Sequence, residues 1–199
     1  MEPKLRRLRW GPRETIFHQG GPVAGLYVLC QGCAKLVFRT PLGKELLIRF
    51  CRSGDLLEGV LSEEHVMSAV SVDGVAVSLI PSEVALELLK SQPELAVEVA
   101  RRLSRDRHML LGRLAYLAYG SVRERLVKGL LELGKRYGVH CEQGLLIDLP
   151  LSQGVLADLI GASRQKVNLT LRKFASQGII RTERGRITIL DQQGLQELW

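Results

Sequence analysis

No apolar run in this 199-residue sequence reaches the roughly 18 residues that a membrane-spanning helix requires. The N-terminus, MEPKLRRLRWGPRETI, is basic but lacks the apolar stretch of a secretory leader. No membrane partner is therefore expected, and the cytoplasm is the expected compartment. Catalytic signatures are missing as well. There is no Gly-x-Ser-x-Gly, no His-Glu-x-x-His and no phosphate loop ending in Gly-Lys-Ser/Thr, and the N-terminal half offers no acid paired with a base. An enzyme is not expected. Asn occurs once and Met three times, while Arg far outnumbers Lys. Such scarcity of thermolabile residues fits a heat-loving source, although a GC-rich genome skews composition in the same direction.

Metal ligation finds little footing. Cys30 and Cys33 form a C-x-x-C, but Cys51 and Cys141 lie far off with no second close pair, whereas a zinc or iron–sulfur site needs four ligands to converge. The C-x-x-C straddles Gln31-Gly32 between the strand-like segments LYVLC and CAKLVF. That pattern predicts a two-residue hairpin turn, with the two cysteines opposite each other on neighbouring strands. Simple packing is the first reading of these thiols, and Cys30, Cys33 and Cys51 are the candidates for a redox role. His18, His65, His108 and His140 show no ligand spacing and read as surface or boundary residues. No metal and no cofactor are expected.

What is present has the composition of an ordinary globular protein, long enough for two modest domains. The net charge of +7 suits a polyanionic partner. Residues 13 to 80 alternate glycine-bearing turns with β-rich runs at Thr15–Phe17, Leu26–Cys30, Ala34–Arg39, Glu45–Phe50, His65–Val72 and Val75–Ile80. Strands at such short, regular spacing predict a sandwich or barrel rather than a parallel sheet. Pro81-Ser82 opens a short helix through Leu89, with Glu83 in the first turn, where an anion suits the helix dipole.

From Pro93 to about Ala118 the pattern predicts one long helix. Val99, Leu103, Leu110, Leu114 and Leu117 mark an apolar seam near heptad spacing. A second copy of the same helix is the economical cover for such a seam, so a homodimer is expected. Tyr119-Gly120 breaks the helix, and Ser121 with Glu124 reads as a capping box that starts the next one. That helix carries Leu126, Leu130, Leu131 and Leu133 to Gly138, and a strand pair follows around Leu145–Leu149.

The most informative stretch runs from Ser152 to Leu190. Val155, Leu156, Leu159 and Ile160 recur at helical spacing until Gly161 ends the first helix, and Ser163 supplies a side-chain oxygen to cap a second. In that second helix Val167, Leu171 and Phe174 make an apolar stripe, while Arg164, Gln165, Asn168, Leu169 and Arg172 lie on the other face. After Gly178 two β-branched segments flank Thr182–Arg186. Two short helices, a glycine turn and a hairpin describe a winged helix-turn-helix. Seven Lys or Arg against two acids over 152–190 give an excess of five positive charges, the sign phosphates attract. A major groove admits one helix, in which Arg can grip guanine, Gln or Asn adenine, and an apolar tip a thymine methyl. Arg164 and Gln165 are the first candidates for base reading, with Asn168 and Leu169 next. Lys166, Arg172, Lys173, Arg184 and Arg186 suit phosphates.

A β-roll, a long helix, a hinge and a winged helix-turn-helix, in that order, resemble the CRP/FNR (catabolite activator/fumarate–nitrate regulator) family of bacterial transcription factors. The likeness is most specific over LPLSQGVLADLIGASRQKVNLTLRKFASQGIIRTERGRITILD, and Gly32, Gly43 and Gly54-Asp55 match the glycine turns of the β-roll. It implies an α+β fold with a cyclic-nucleotide-binding-like β-roll (jelly roll) over 1–92, a dimerisation helix over 93–118 and a DNA-binding domain over 119–199. It further implies that Ser152 and Ser163 touch phosphates, with Gln153 beside them, and that Arg164 reads a guanine. Double-stranded DNA, a second copy of the chain and RNA polymerase are the implied partners. Gln165 and Leu169 depart from the Glu and Arg that family members often carry, which predicts a different target site. The effector cassette departs too. Cyclic-nucleotide-binding relatives carry Gly-Glu for the ribose and Arg-Ser for the phosphate, whereas here Glu58-Gly59 inverts the first pair and Met67 precedes Ser68 in the second. A phosphate without its guanidinium would be left uncompensated, so dependence on cyclic AMP is not expected. The alternative is a ligand- or thiol-gated sensor of the same fold.

Overall fold

Short strands and glycine turns do build the first half of the molecule. The computed structural model describes residues 5–57 and 62–198. Among them, β1 (Arg6–Trp10), β7 (Val75–Pro81) and β3 (Gly25–Gln31) form one antiparallel sheet in the order β1-β7-β3. β2 (Thr15–Phe17), β6 (Ser68–Ser71), β4 (Ala34–Arg39) and β5 (Glu45–Cys51) form a second, in the order β2-β6-β4-β5. Residues from both sheets, among them Phe17, Tyr27, Leu29, Leu36, Val77 and Leu79, meet in a single core. In β7, Val75, Val77 and Leu79 are buried while the residues between them are half-buried, the period of two that a strand imposes.

Two local expectations need correction, and one strand was not expected at all. The C-x-x-C is not a hairpin, because β3 and β4 belong to different sheets and Gln31-Gly32 carries the chain between them. Gly32 has φ +83°, and a Cβ there would fall 2.0 Å from the Gly74 carbonyl oxygen, so this crossing tolerates no side chain. Cys30 and Cys33 accordingly do not oppose each other. Cys30 is exposed with its Sγ 3.2 Å from Ser78 Oγ, whereas Cys33 and Cys51 are buried. His65 is not a surface residue. Its ring is buried and stacks on Phe17 at 3.9 Å between centroids, and the strand expected to begin there starts only at Ser68. The unexpected strand is β1, which pairs with β7 from Arg6↔Leu79 to Trp10↔Val75. Its arginines hide the alternation by which Leu8 and Trp10 pack onto the core.

α1 (Ser82–Ser91) and α2 (Pro93–Tyr119) follow the strands. The chain divides into two compact units, 1–108 and 109–199, with the division inside α2. Within the first unit Arg102 of α2 pairs with Asp55 at 2.5 Å and with Asp106 at 3.7 Å, and Arg49 lies 3.9 Å from Asp55 and 4.0 Å from Asp106. Burial opposes the Arg102 charge, but Asp55 and then Asp106 hold its guanidinium above the ordinary arginine value.

The second unit takes in the C-terminal part of α2, and α3 (Val122–Tyr137) follows it, opened by the capping box of Ser121 and Glu124. α4 (Gln153–Ile160), α5 (Arg164–Ser176) and α6 (Gln192–Glu197) complete its helices among the described residues. The strand pair expected around Leu145–Leu149 lies earlier in the chain, as β8 (Gly138–Cys141) and β9 (Gly144–Ile147). They join β10 (Ile180–Glu183) and β11 (Arg186–Ile189) in one sheet, β10-β11-β9-β8. Buried Leu126 and Leu130 of α3, Leu156 and Ile160 of α4, and Val167, Leu171 and Phe174 of α5 supply much of the interior. Each such side chain contributes about 1.5–3 kcal/mol when taken out of water.

Candidate nucleic-acid interface

The geometry of α4 and α5 is set at their ends. Ser152 caps α4 by accepting from the Val155 amide at 3.2 Å, and Ser163 caps α5 by accepting from the Lys166 amide at 3.4 Å. Each hydroxyl keeps its own proton to donate outward. Neither helix carries an acid in its first turn, so both N-termini keep their positive field. Between them Gly161 takes φ +61°, ψ +45°, the left-handed conformation that lets the chain reverse within a few residues.

Sequence reasoning missed what holds that turn from behind. The Arg125 guanidinium donates to the carbonyls of Ile160 at 3.0 Å and Gly161 at 3.3 Å, and that of Arg113 donates to the carbonyl of Leu159. Two cations thus meet the last carbonyls of α4, where unpaired oxygens and the helix dipole favour positive charge. Burial pushes the Arg113 guanidinium below its ordinary value, with Glu132 acting in the opposite sense. No local spacing betrays these contacts, which join residues 35 to 46 positions apart.

The outer surface of α5 presents the candidate base-reading groups. Arg164, Gln165, Lys166, Leu169, Arg172 and Lys173 are exposed, Asn168 is half-buried, and Ser152, Gln153 and Ser163 stand at the exposed helix starts. The Arg164 guanidinium lies against the backbone of α4. A Cβ added at Gly154 would sit 3.1 Å from its Nε, so the missing side chain makes room for it. The strands β10 and β11 turn through Arg184 and Gly185, both at positive φ (+48° and +75°), which matches a tight two-residue hairpin. Between α5 and this wing runs a groove of about 360 Å³ lined by Asn168, Arg172, Arg184 and Arg186 among others. Arg186 also pairs with Asp148 at 3.4 Å, an exposed contact of the kind that is worth little. The buried stripe and the charged surface therefore occupy opposite sides of one helix.

The long helix shows the reverse pattern. No residue of α2 is buried within the chain. Leu103, Leu110 and Leu114 of the expected seam are exposed, with Leu111 beside them, while Val99 and Leu117 are half-buried.

In the β-domain the cassette residues are engaged internally. Ser68 is buried and its Oγ accepts from the Gln19 amide at 2.9 Å, and Met67 packs against the core. Asp55 accepts from Arg102 and from the Arg52 amide. Glu58 and Gly59 lie outside the described residues. Among the described residues no three His, Cys, Asp or Glu side chains gather as metal ligands, and no helix is long and apolar enough to cross a membrane.

Comparison with known proteins agrees with this geometry. Residues 124–198 match the family profile of the Crp-like helix-turn-helix domain, and residues 7–92 that of the cyclic nucleotide-binding domain. A CRP-like cAMP-activated global transcriptional regulator of Mycobacterium tuberculosis is 31% identical over 185 residues, covering 91% of this chain and 82% of the relative. A global nitrogen regulator of Nostoc is 32% identical, covering 88% and 81%. Among solved structures, a transcriptional regulator of the CRP/FNR family from Thermus thermophilus superposes with a TM-score of 0.79 at 25% identity, covering 97% of each chain. FixK2 from Bradyrhizobium japonicum shares the fold, with a TM-score of 0.86 at 19% identity, covering 98% of this chain and 96% of its own.

Proposed function

This chain belongs to the CRP/FNR family of transcriptional regulators, and from that premise we propose that it works in the cytoplasm as a homodimer that recognises a pseudo-palindromic DNA site without cyclic AMP. The observation that carries this reading is the division of α5 into a buried stripe and a free polar surface that begins at Arg164. Each copy lays α5 in a major groove, and the two grooves lie about 34 Å apart on one face of the duplex. Arg164 and Gln165 read bases, with Asn168 and Leu169 beside them. The hydroxyls of Ser152 and Ser163, with Gln153, Lys166, Arg172, Lys173, Arg184 and Arg186, hold phosphates and fix the register.

The segment 93–118 serves as the dimerisation helix between a β-roll domain, 1–92, and a DNA-binding domain, 119–199. The exposed leucines of α2 support this division. The Mycobacterium relative is cAMP-activated by name, but Met67 offers no cation to a cyclic phosphate and the Ser68 oxygen already serves Gln19. These contacts support a regulator that binds DNA with no added nucleotide; RNA polymerase is the further partner that membership of the family suggests. Thiol gating finds little support in the structure, since Cys33 and Cys51 are buried and Cys30 faces Ser78 rather than a second thiol.

Selection of bound sequences from a random duplex pool, with purified protein and no ligand, tests the proposal. The expected product is one enriched site with two-fold symmetry. Enrichment that appears only after a cyclic nucleotide or an oxidant is added overturns the effector-free reading, and no enrichment under any condition overturns sequence-specific recognition.

A further inference from the structure

Leu169 occupies an unusual place for a leucine. Val167, Leu171 and Phe174 follow one another at i, i+4 and i+7 and are buried. Gln165, Leu169 and Arg172 repeat that spacing two residues earlier, which at 100° per residue puts them on the opposite side of the helix. Leu169 is 59% exposed, and among the described residues from Ser152 onward it is the one large hydrophobic side chain left in solvent. It stands midway along the outermost line of α5, with Gln165 one turn before it and Arg172 one turn after. In that position it adds nothing to the interior of its own domain.

We propose that Leu169 is a specificity-determining residue that recognises the C5-methyl group of a thymine in each half-site, next to an adenine held by Gln165. The inference rests on the DNA-binding reading above. The thymine methyl is the apolar feature of the major-groove floor, and adenine presents the paired acceptor and donor that suit a Gln amide. One helical turn advances about 5.4 Å and one base pair about 3.4 Å, so side chains a turn apart reach base pairs one or two steps apart. Arg164 lies about a quarter turn away from this line and rests on Gly154, which leaves the middle of the contact to the Gln165–Leu169 pair. A leucine here rewards thymine with buried apolar surface and offers nothing to the amino group of cytosine.

The decisive test replaces thymine by deoxyuridine, position by position, in the operator selected from the random pool, using the full-length protein. Uracil keeps the pairing edge and removes only the methyl group. At one thymine per half-site the wild-type protein should lose about fourfold in affinity, the worth of one buried carbon. Leu169→Ala should bind thymine and uracil operators alike, and Leu169→Met should keep the discrimination. Because the side chain is exposed, the thermal unfolding of both variants should match that of wild type. A wild-type protein indifferent to uracil at every position, or a Leu169→Ala variant that loses as much from uracil as wild type does, overturns the assignment while leaving operator binding intact. A protein that selects no operator overturns the underlying reading and this inference with it.

Discussion

In α5 Val167, Leu171 and Phe174 face inward and Arg164, Gln165 and Arg172 outward; in α2 Leu103, Leu110 and Leu114 face outward, and Arg102 and Asp106 are the polar residues that turn back toward the β-domain. Val167, Leu171 and Phe174 are buried within the second unit. Along α2, Arg102 and Asp106 engage Asp55 and Arg49 within the first unit, while Leu103, Leu110, Leu111 and Leu114 are left in solvent. Each helix is amphipathic, yet the face left open differs in kind. An open polar face with an excess of cations suits a polyanion, and an open leucine face suits another apolar surface. Composition would not separate the two helices; the side each leaves uncovered does.

Charge placed on the open face of α2 should have the largest effect. Leu110→Asp combined with Leu114→Asp should halve the mass measured in solution by light scattering and lower affinity for a two-half-site operator at least 100-fold, because a lone subunit loses the second half-site. The isolated fold should survive, since neither side chain is buried. A variant that stays dimeric would place the dimer contact elsewhere. The same kind of truncation on the covered face of α5 should act on stability instead. Leu171→Ala leaves a cavity and should cost about 2–5 kcal/mol in denaturant unfolding, and it should weaken DNA binding only through the population unfolded.

Substitutions on the open face of α5 should be gentler and should sort by role. Arg164→Ala should cost about 1–3 kcal/mol and relax preference at one base pair, whereas Lys173→Ala should weaken all duplexes alike and reduce the salt slope by about one. Equal losses from Arg164→Ala on operator and random duplexes would reassign that residue to phosphate contact. The smallest effect concerns the capping box. The Ser121 amide and hydroxyl hold the Glu124 carboxyl below its usual range. Its folded value is depressed, so its contribution is complete above the ordinary carboxylate range and is lost as pH falls through the lowered value. Glu124→Gln should therefore narrow the melting-temperature gap to wild type as a scan descends into that range. A constant gap would mean that the carboxylate contributes nothing through its charge.

Much of the second unit was readable along the chain because its determinants are local. Ser121 with Glu124, Ser152, Gly161, Ser163 and the Val167–Leu171–Phe174 stripe all act within one or two helical turns. The Arg113 and Arg125 contacts behind the turn were not readable, since an arginine's reach to a carbonyl 35 or more residues away leaves no periodicity. The β-domain misled for a related reason. A strand shows which of its faces is buried but not which strand lies beside it, so LYVLC-QG-CAKLVF has the same pattern whether it folds back on itself or crosses between sheets.

The sequence by itself determined where the helices of the second unit begin and end, that Val167, Leu171 and Phe174 must be buried, and that the Ser152–Leu190 stretch carries an excess of positive charge. Those properties depend on capping oxygens, glycine's conformational freedom and side-chain periodicity over a few residues. Only the tertiary structure decided that β3 and β4 lie in separate sheets, that His65 stacks inside the core, that β8 and β9 extend the wing into one sheet, and that Arg113 and Arg125 reach the last carbonyls of α4. Each of those depends on which distant segments pack together, and packing partners are chosen by the sum of many weak contacts that no single stretch of chain encodes.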